Sequence, residues 1–199
     1  MRKIILASSS PRRKKIFKEI GLDYKVITNN INEDLLIKYF QKEGFTNLVK
    51  ILSLAKAISA IGGRKGTTLH GNEIVAAFDT IVVCKNKIIG KPKNKRDAIK
   101  KLLFLSNKKH NVITGIAILD LKTKKIFLDH ETTKVWMKKI TKYDALNYVN
   151  TKEPLDKAGA YAIQGKGKKF VKRIHGDYLN VVGLPQKRFL SILFRVNPI

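Results

Sequence analysis

The chain has 199 residues, 44% of them hydrophobic, enough to bury a sizeable core in one domain or one domain of two lobes. Its 41 Lys and Arg outnumber 15 Asp and Glu, for a formal charge of +26 at pH 7, a field that draws in polyanions, nucleotide or nucleic acid alike. The apolar runs fall short of the roughly 18 residues of a membrane span, the apolar start is too short for a signal-peptide core, and the single cysteine, Cys84, excludes an internal disulfide, so a cytoplasmic protein with no membrane partner is expected.

Residues 3–7 read as a first strand and 11–20 as a helix, with Pro11 in its first turn and Gly21 as its stop. A second strand is expected over 23–28, a break at Asn29-Asn30, and a helix over 33–41. The spacing of Leu48, Ile51, Leu52, Ala55 and Ile58 predicts one face of a helix over 46–61, stopped by Gly62-Gly63, with an exposed loop over 64–72. The β-branched run 73–84 predicts a central strand that carries Cys84 as a buried residue and turns through 85–87 into Ile88-Ile89. Asn94 caps a helix with Ala98, Leu102 and Leu105 on one face and Asp97 placed for reciprocal capping. Strands over 111–120 and 125–139, a helix over 141–148, a functional loop over 150–169 and a terminal helix over 186–194 complete the pattern. Interleaved helices and adjacent long strands predict an α/β fold with a mixed sheet and flanking helices.

The opening Ala7-Ser8-Ser9-Ser10-Pro11-Arg12-Arg13 is the most informative segment. A strand, a small-residue turn and a helix N-terminus together form an anion site, with backbone N–H groups, hydroxyls and two guanidiniums as donors to phosphate oxygens. Asp79 is an acid inside an apolar strand, where a carboxylate is either satisfied by core partners or functional. Glu33 is either a first-turn acid favoured by the helix dipole or a divalent-metal ligand. Lys56 and Lys91 are solvated lysines or phosphate ligands, and Gln164, in the glycine-interrupted run 156–165, is a surface glutamine or a reader of a base edge. Lysines spread along the whole chain without interleaved aromatics read as a solvated surface more than as a nucleic-acid platform. The scattered histidines, His70, His110, His130 and His175, lack the spacing of a zinc site.

These segments, in this order, resemble the Maf family of nucleoside triphosphate pyrophosphatases. The resemblance is carried by S-x-S-P-R-R at residues 8–13, L-x-x-x-K-A at 52–57, D-T at 79–80, G-K-P at 90–92, T-G at 114–115, D-K-A-G-A-Y-A-I-Q-G at 156–165 and N-V-V-G-L-P at 180–185. It implies a single domain over 1–199, of the fold of inosine triphosphate pyrophosphatases, with two lobes around a central cleft, and a homodimer. It also implies the release of pyrophosphate from a nucleoside triphosphate, with Asp79 as the base that activates water and a divalent ion, Mg2+ or Mn2+, near Glu33 and Asp79. Ser8, Arg12, Arg13, Lys56 and Lys91 would bind the triphosphate. Arg12, Arg13, Thr80 and Gln164 favour the branch that takes dTTP and UTP. Asn32 and Phe78 stand where the family carries Asp and a small residue. The alternative is a non-catalytic nucleic-acid-binding or cell-division regulatory protein on the same fold.

Overall fold

The computed structural model describes residues 2–62, 69 and 71–197. The predicted loop over 64–72, the stop at Gly63 and His70 thus lie largely outside the described residues. The chain forms two compact units, one of Met1–Asp79, Thr114–Glu131 and Gly183–Ile199, the other of Thr80–Ile113 and Thr132–Val182.

The strands are β1 (Ile4–Leu6), β2 (Tyr24–Val26), β3 (Ile74–Cys84), β4 (Lys87–Ile88), β5 (Lys109–Asp120), β6 (Lys125–Met137) and β7 (Val171–His175). They pair in the order β2-β1-β3-β5-β6-β7, with β4 on β3. Parallel pairing of β1 with β2 and β3, and antiparallel pairing of β4 with β3 and of β7 with β6, make the sheet mixed, as expected. β3, β5 and β6 each pass from one unit into the other.

In the first unit, alternation along the strands sets up two apolar faces. Ile5 and Ala7 of the first strand and its extension, Val75 and Ala77 of β3, and Ala117 and Leu119 of β5 form one cluster with Ala57 and Ala60 of the helix α3 (Phe45–Gly62). Phe78 points the other way, against Phe17 of the helix α1 (Pro11–Glu19) at 6.1 Å and Phe189 of the C-terminal helix (Gln186–Val196) at 5.2 Å between ring centroids. Pro11 opens α1, as the sequence requires, and Gly21 takes a φ of +70° just beyond its end. Asn32 caps α2 (Glu33–Phe40) by accepting from the Leu35 amide at 3.0 Å.

The buried stripe of α3 is Leu48, Val49, Leu52, Ser53, Lys56, Ala57 and Ala60. It is rotated from the predicted one, and Ile58 is 53% exposed. The helix is apolar on most sides and long enough, by length and composition alone, to cross a membrane; small residues at 57 and 60, which let it approach the sheet, choose the inward face.

The second unit packs α4 (Lys95–Leu105) against α5 (Lys142–Asn150). Asn94 caps α4 as expected, but Asp97 accepts from the Lys93 amide and the Lys101 ammonium, not from Asn94, so the capping is not reciprocal. A full capping box forms instead at α5, between Thr141 and Asp144. Most of 150–169, expected as loop, is organised into the short 3-10 turns Glu153–Asp156, Ala158–Ala160 and Lys166–Phe170. β7 and α6 (Tyr178–Val182) follow where no element was predicted. Cys84 is buried in β3, as expected.

Candidate functional site

Asp79 shares the side of β3 occupied by Val75 and Ala77, and so faces α3. Lys56 lies on the inward stripe of that helix, and its ammonium pairs with the Asp79 carboxylate. The same Nζ lies 2.9 Å from Oε1 of Glu33, in the first turn of α2. A strand and two helices thus bring Glu33, Lys56 and Asp79, each singled out from sequence, to one point. Burying an ammonium and a carboxylate is costly unless they satisfy each other.

Ser8 is buried just beyond β1, and its Oγ accepts from the Ser10 amide at 3.2 Å and from Nη1 of Arg13 at 3.3 Å. Nε of Arg13 donates to the Gly183 carbonyl at 2.8 Å and Nη1 to the Phe78 carbonyl at 2.9 Å, with the guanidinium 5.7 Å from the Phe78 ring centroid. Burial lowers its pKa to about 10, the carboxylates of Asp79 and Glu33 pulling the other way. Arg13 is therefore also a strut joining α1, β3 and the 183–185 segment. Arg12 is half-buried beside it, at the helix start, where Ser10 makes no side-chain cap. Asn29, read only as a break, donates from Nδ2 to the Ala7 carbonyl at 3.0 Å and so fixes the backbone just ahead of Ser8.

The remaining predicted residues belong to the second unit. Thr80 is half-buried on β3, and alternation turns it to the side opposite Asp79. Lys91 is exposed, and its carbonyl accepts from Nζ of Lys101 at 2.8 Å. Gln164 is exposed between the turns Ala158–Ala160 and Lys166–Phe170.

Residues 3–196 match the family model described as Maf-like protein. The chain belongs to the Maf family. It is 43% identical over 193 residues to a dTTP/UTP pyrophosphatase of Thermoanaerobacter sp. (strain X514), covering 97% of this chain and 96% of that protein. It is 42% identical over 196 residues to one from Clostridium botulinum (strain Okra / Type B1), covering 98% of each. A third, from Acetivibrio thermocellus, is 44% identical over 195 residues, covering 97% of this chain and 94% of the relative. A solved structure of a nucleoside-triphosphatase / dITP/XTP pyrophosphatase from Mycobacterium abscessus aligns over 97% of this chain and 92% of that one at 9% identity, with a TM-score of 0.43.

The two departures of this Maf chain from the family pattern have local physical accounts. The Phe78 ring fills an aromatic cluster on the side of β3 away from Asp79, so its bulk does not crowd the carboxylate. Asn32 supplies the cap that an aspartate also would. As for metal, no group of three or more His, Cys, Asp and Glu converges among the described residues. Glu33 and Asp79 do converge on a single cation, the Lys56 ammonium. Two carboxylates are a donor set suited to Mg2+, which takes its other ligands from water and phosphate.

Proposed function

We propose that this Maf-family chain hydrolyses dTTP and UTP to the nucleoside monophosphate and pyrophosphate. The observation that carries this reading is the Asp79 carboxylate, buried on β3 and held by Lys56, in a chain whose near-full-length relatives bear that activity in their names.

In this mechanism Asp79 accepts a proton from water as the water oxygen attacks the α-phosphorus. The bond from that phosphorus to the α–β bridging oxygen breaks, and pyrophosphate departs with the electron pair. Lys56 orients the carboxylate. Ser8, Arg12 and Lys91 bind phosphate oxygens, while Arg13 holds the turn that presents Ser8 and adds positive potential. Thr80 and Gln164 act on the nucleoside side. A divalent ion would be held by Glu33 and Asp79 and supplies neutralisation of the triphosphate charge.

The test is pyrophosphate release from dTTP, UTP, CTP and GTP, each with Mg2+ or Mn2+. Asp79→Asn is expected to lower turnover of dTTP by about 100-fold or more, the scale of a lost general base, with dTTP binding retained. Near-normal turnover would refute the role of Asp79.

A further inference from the structure

The segment that carries Gln164 is braced from beneath by one carboxylate. Glu153 Oε1 accepts from the Tyr148 hydroxyl at 3.0 Å and from the Gly167 amide at 3.4 Å, and Oε2 accepts from the Lys166 amide at 3.0 Å. The Tyr148 oxygen in turn accepts from the Ala162 amide at 3.0 Å. Amides at 162, 166 and 167, on both sides of Gln164, are thus tied to a single Tyr–Glu pair rooted in α5 and the turn that follows it. Burial pushes the Tyr148 hydroxyl pKa up, so it remains a donor at any working pH.

The glycines record the same closeness. A Cβ at Gly165 would lie 2.2 Å from Glu153 Oε1, and one at Gly167 would lie 2.6 Å from the Tyr148 hydroxyl and 2.7 Å from the Ala162 carbonyl. At Gly167 backbone blocks any larger residue, whereas at Gly165 the obstacle is only the end of the Glu153 side chain. Gly165 is therefore the gap that admits the carboxylate.

We propose that Glu153 is a positioning residue for base selection: it preorganises 162–167 so that the Gln164 amide meets the base edge in one orientation. The proposal rests on the reading that Gln164 faces the base of a pyrimidine nucleotide. Held in one orientation, with its carbonyl toward N3 and its NH2 toward O4, a glutamine amide is matched to uracil and thymine, whose N3–H donates and whose O4 accepts. Cytosine inverts both groups and leaves polar atoms unpaired. That discrimination is lost when the segment is loose enough for the amide to turn over, since the inverted amide pairs with cytosine instead.

Glu153→Gln keeps the shape but turns an N–H toward one of the loop amides. It is expected to lower the kcat/KM ratio of UTP over CTP about tenfold, the scale of one well-placed hydrogen bond, through a raised KM for UTP with kcat nearly unchanged. Gly165→Ala, which displaces the carboxylate without altering it, should give the same loss, and the double variant no more than either alone. An unchanged ratio in Glu153→Gln, beside a collapsed one in Gln164→Ala, overturns the positioning role while leaving Gln164 as the reader. An unchanged ratio in Gln164→Ala overturns both. Equal losses of kcat for UTP and CTP in Glu153→Gln mark general damage and also overturn it.

Discussion

Lys56 and Asp79 form an ion pair in which 9% and 5% of the side-chain surface is exposed, with Glu33 on the outer side of the same ammonium. Removing Lys56 leaves the Asp79 carboxylate buried without its ion-pair partner, at a cost of about 3 kcal/mol. Lys56→Met is therefore expected to lower unfolding stability by about that amount. Adding Asp79→Asn should restore much of the loss, because no charge is then stranded at 79. Urea unfolding of the two single variants and the double variant reads the coupling directly, and strict additivity would show that the pair is not a unit.

Arg13 makes an analogous prediction about shape as opposed to charge. Its guanidinium spans the carbonyls of Phe78 and Gly183 and the hydroxyl of Ser8, which one ammonium on a flexible stem does not reproduce. Arg13→Lys is expected to cost about 2 kcal/mol in urea unfolding, the range of a charged hydrogen bond lost. Turnover should fall with it, because the turn that presents Ser8 is loosened.

How far the sequence discloses all this depends on whether the deciding partner is local. The opening turn is legible because Pro11 and Gly21 impose their backbone geometry unaided. The stripe of α3 is not, because several sides of that helix are apolar and the close approach to the sheet that its small residues allow chooses among them. Arg13 looks the same in sequence whether or not it also reaches carbonyls 65 and 170 residues away. The order within 150–169 depends on Glu153 reaching 13 residues ahead to the Lys166 amide, which no periodicity reports. Asp79 and Lys56 are found, by contrast, because a charge within an apolar pattern is itself a signal.

Acid stability offers a check on the first unit. Asp120 is buried and receives both ends of the Arg2 guanidinium, at 2.5 and 3.1 Å, while Arg2 also donates to the Val196 carbonyl at 2.6 Å. The Arg2 hydrogen bond, with help from Thr123, holds the Asp120 carboxyl well below its ordinary value of 3.8. A carboxylate depressed in the folded state lends stability above its unfolded pKa and loses it as pH falls through the folded one. Asp120→Asn is accordingly expected to destabilise most near neutrality, with the gap from the parent chain narrowing steadily below about pH 4. Unfolding curves collected from pH 7 down to pH 2 provide the comparison; a gap that stays constant would assign the effect to packing.

The T-G motif has its physical origin at Gly115, where β5 passes α3 with no room for a side chain. A Cβ there would stand 2.1 Å from the Val49 carbonyl oxygen, 2.4 Å from its carbon and 2.9 Å from the Lys50 nitrogen. All three are backbone atoms of a helix, so no rotamer change relieves the clash and the helix itself must move. Since α3 carries Lys56, the displacement reaches the Asp79 carboxylate as a change in ion-pair geometry. Gly115→Ala is expected to cost about 3 kcal/mol, the upper part of the range for overpacking, and to lower turnover even at temperatures where the variant remains folded. Thermal unfolding followed by pyrophosphate release well below the midpoint separates the two effects: a stable fold with normal turnover would show that α3 does not need its close seat on β5 to position Lys56.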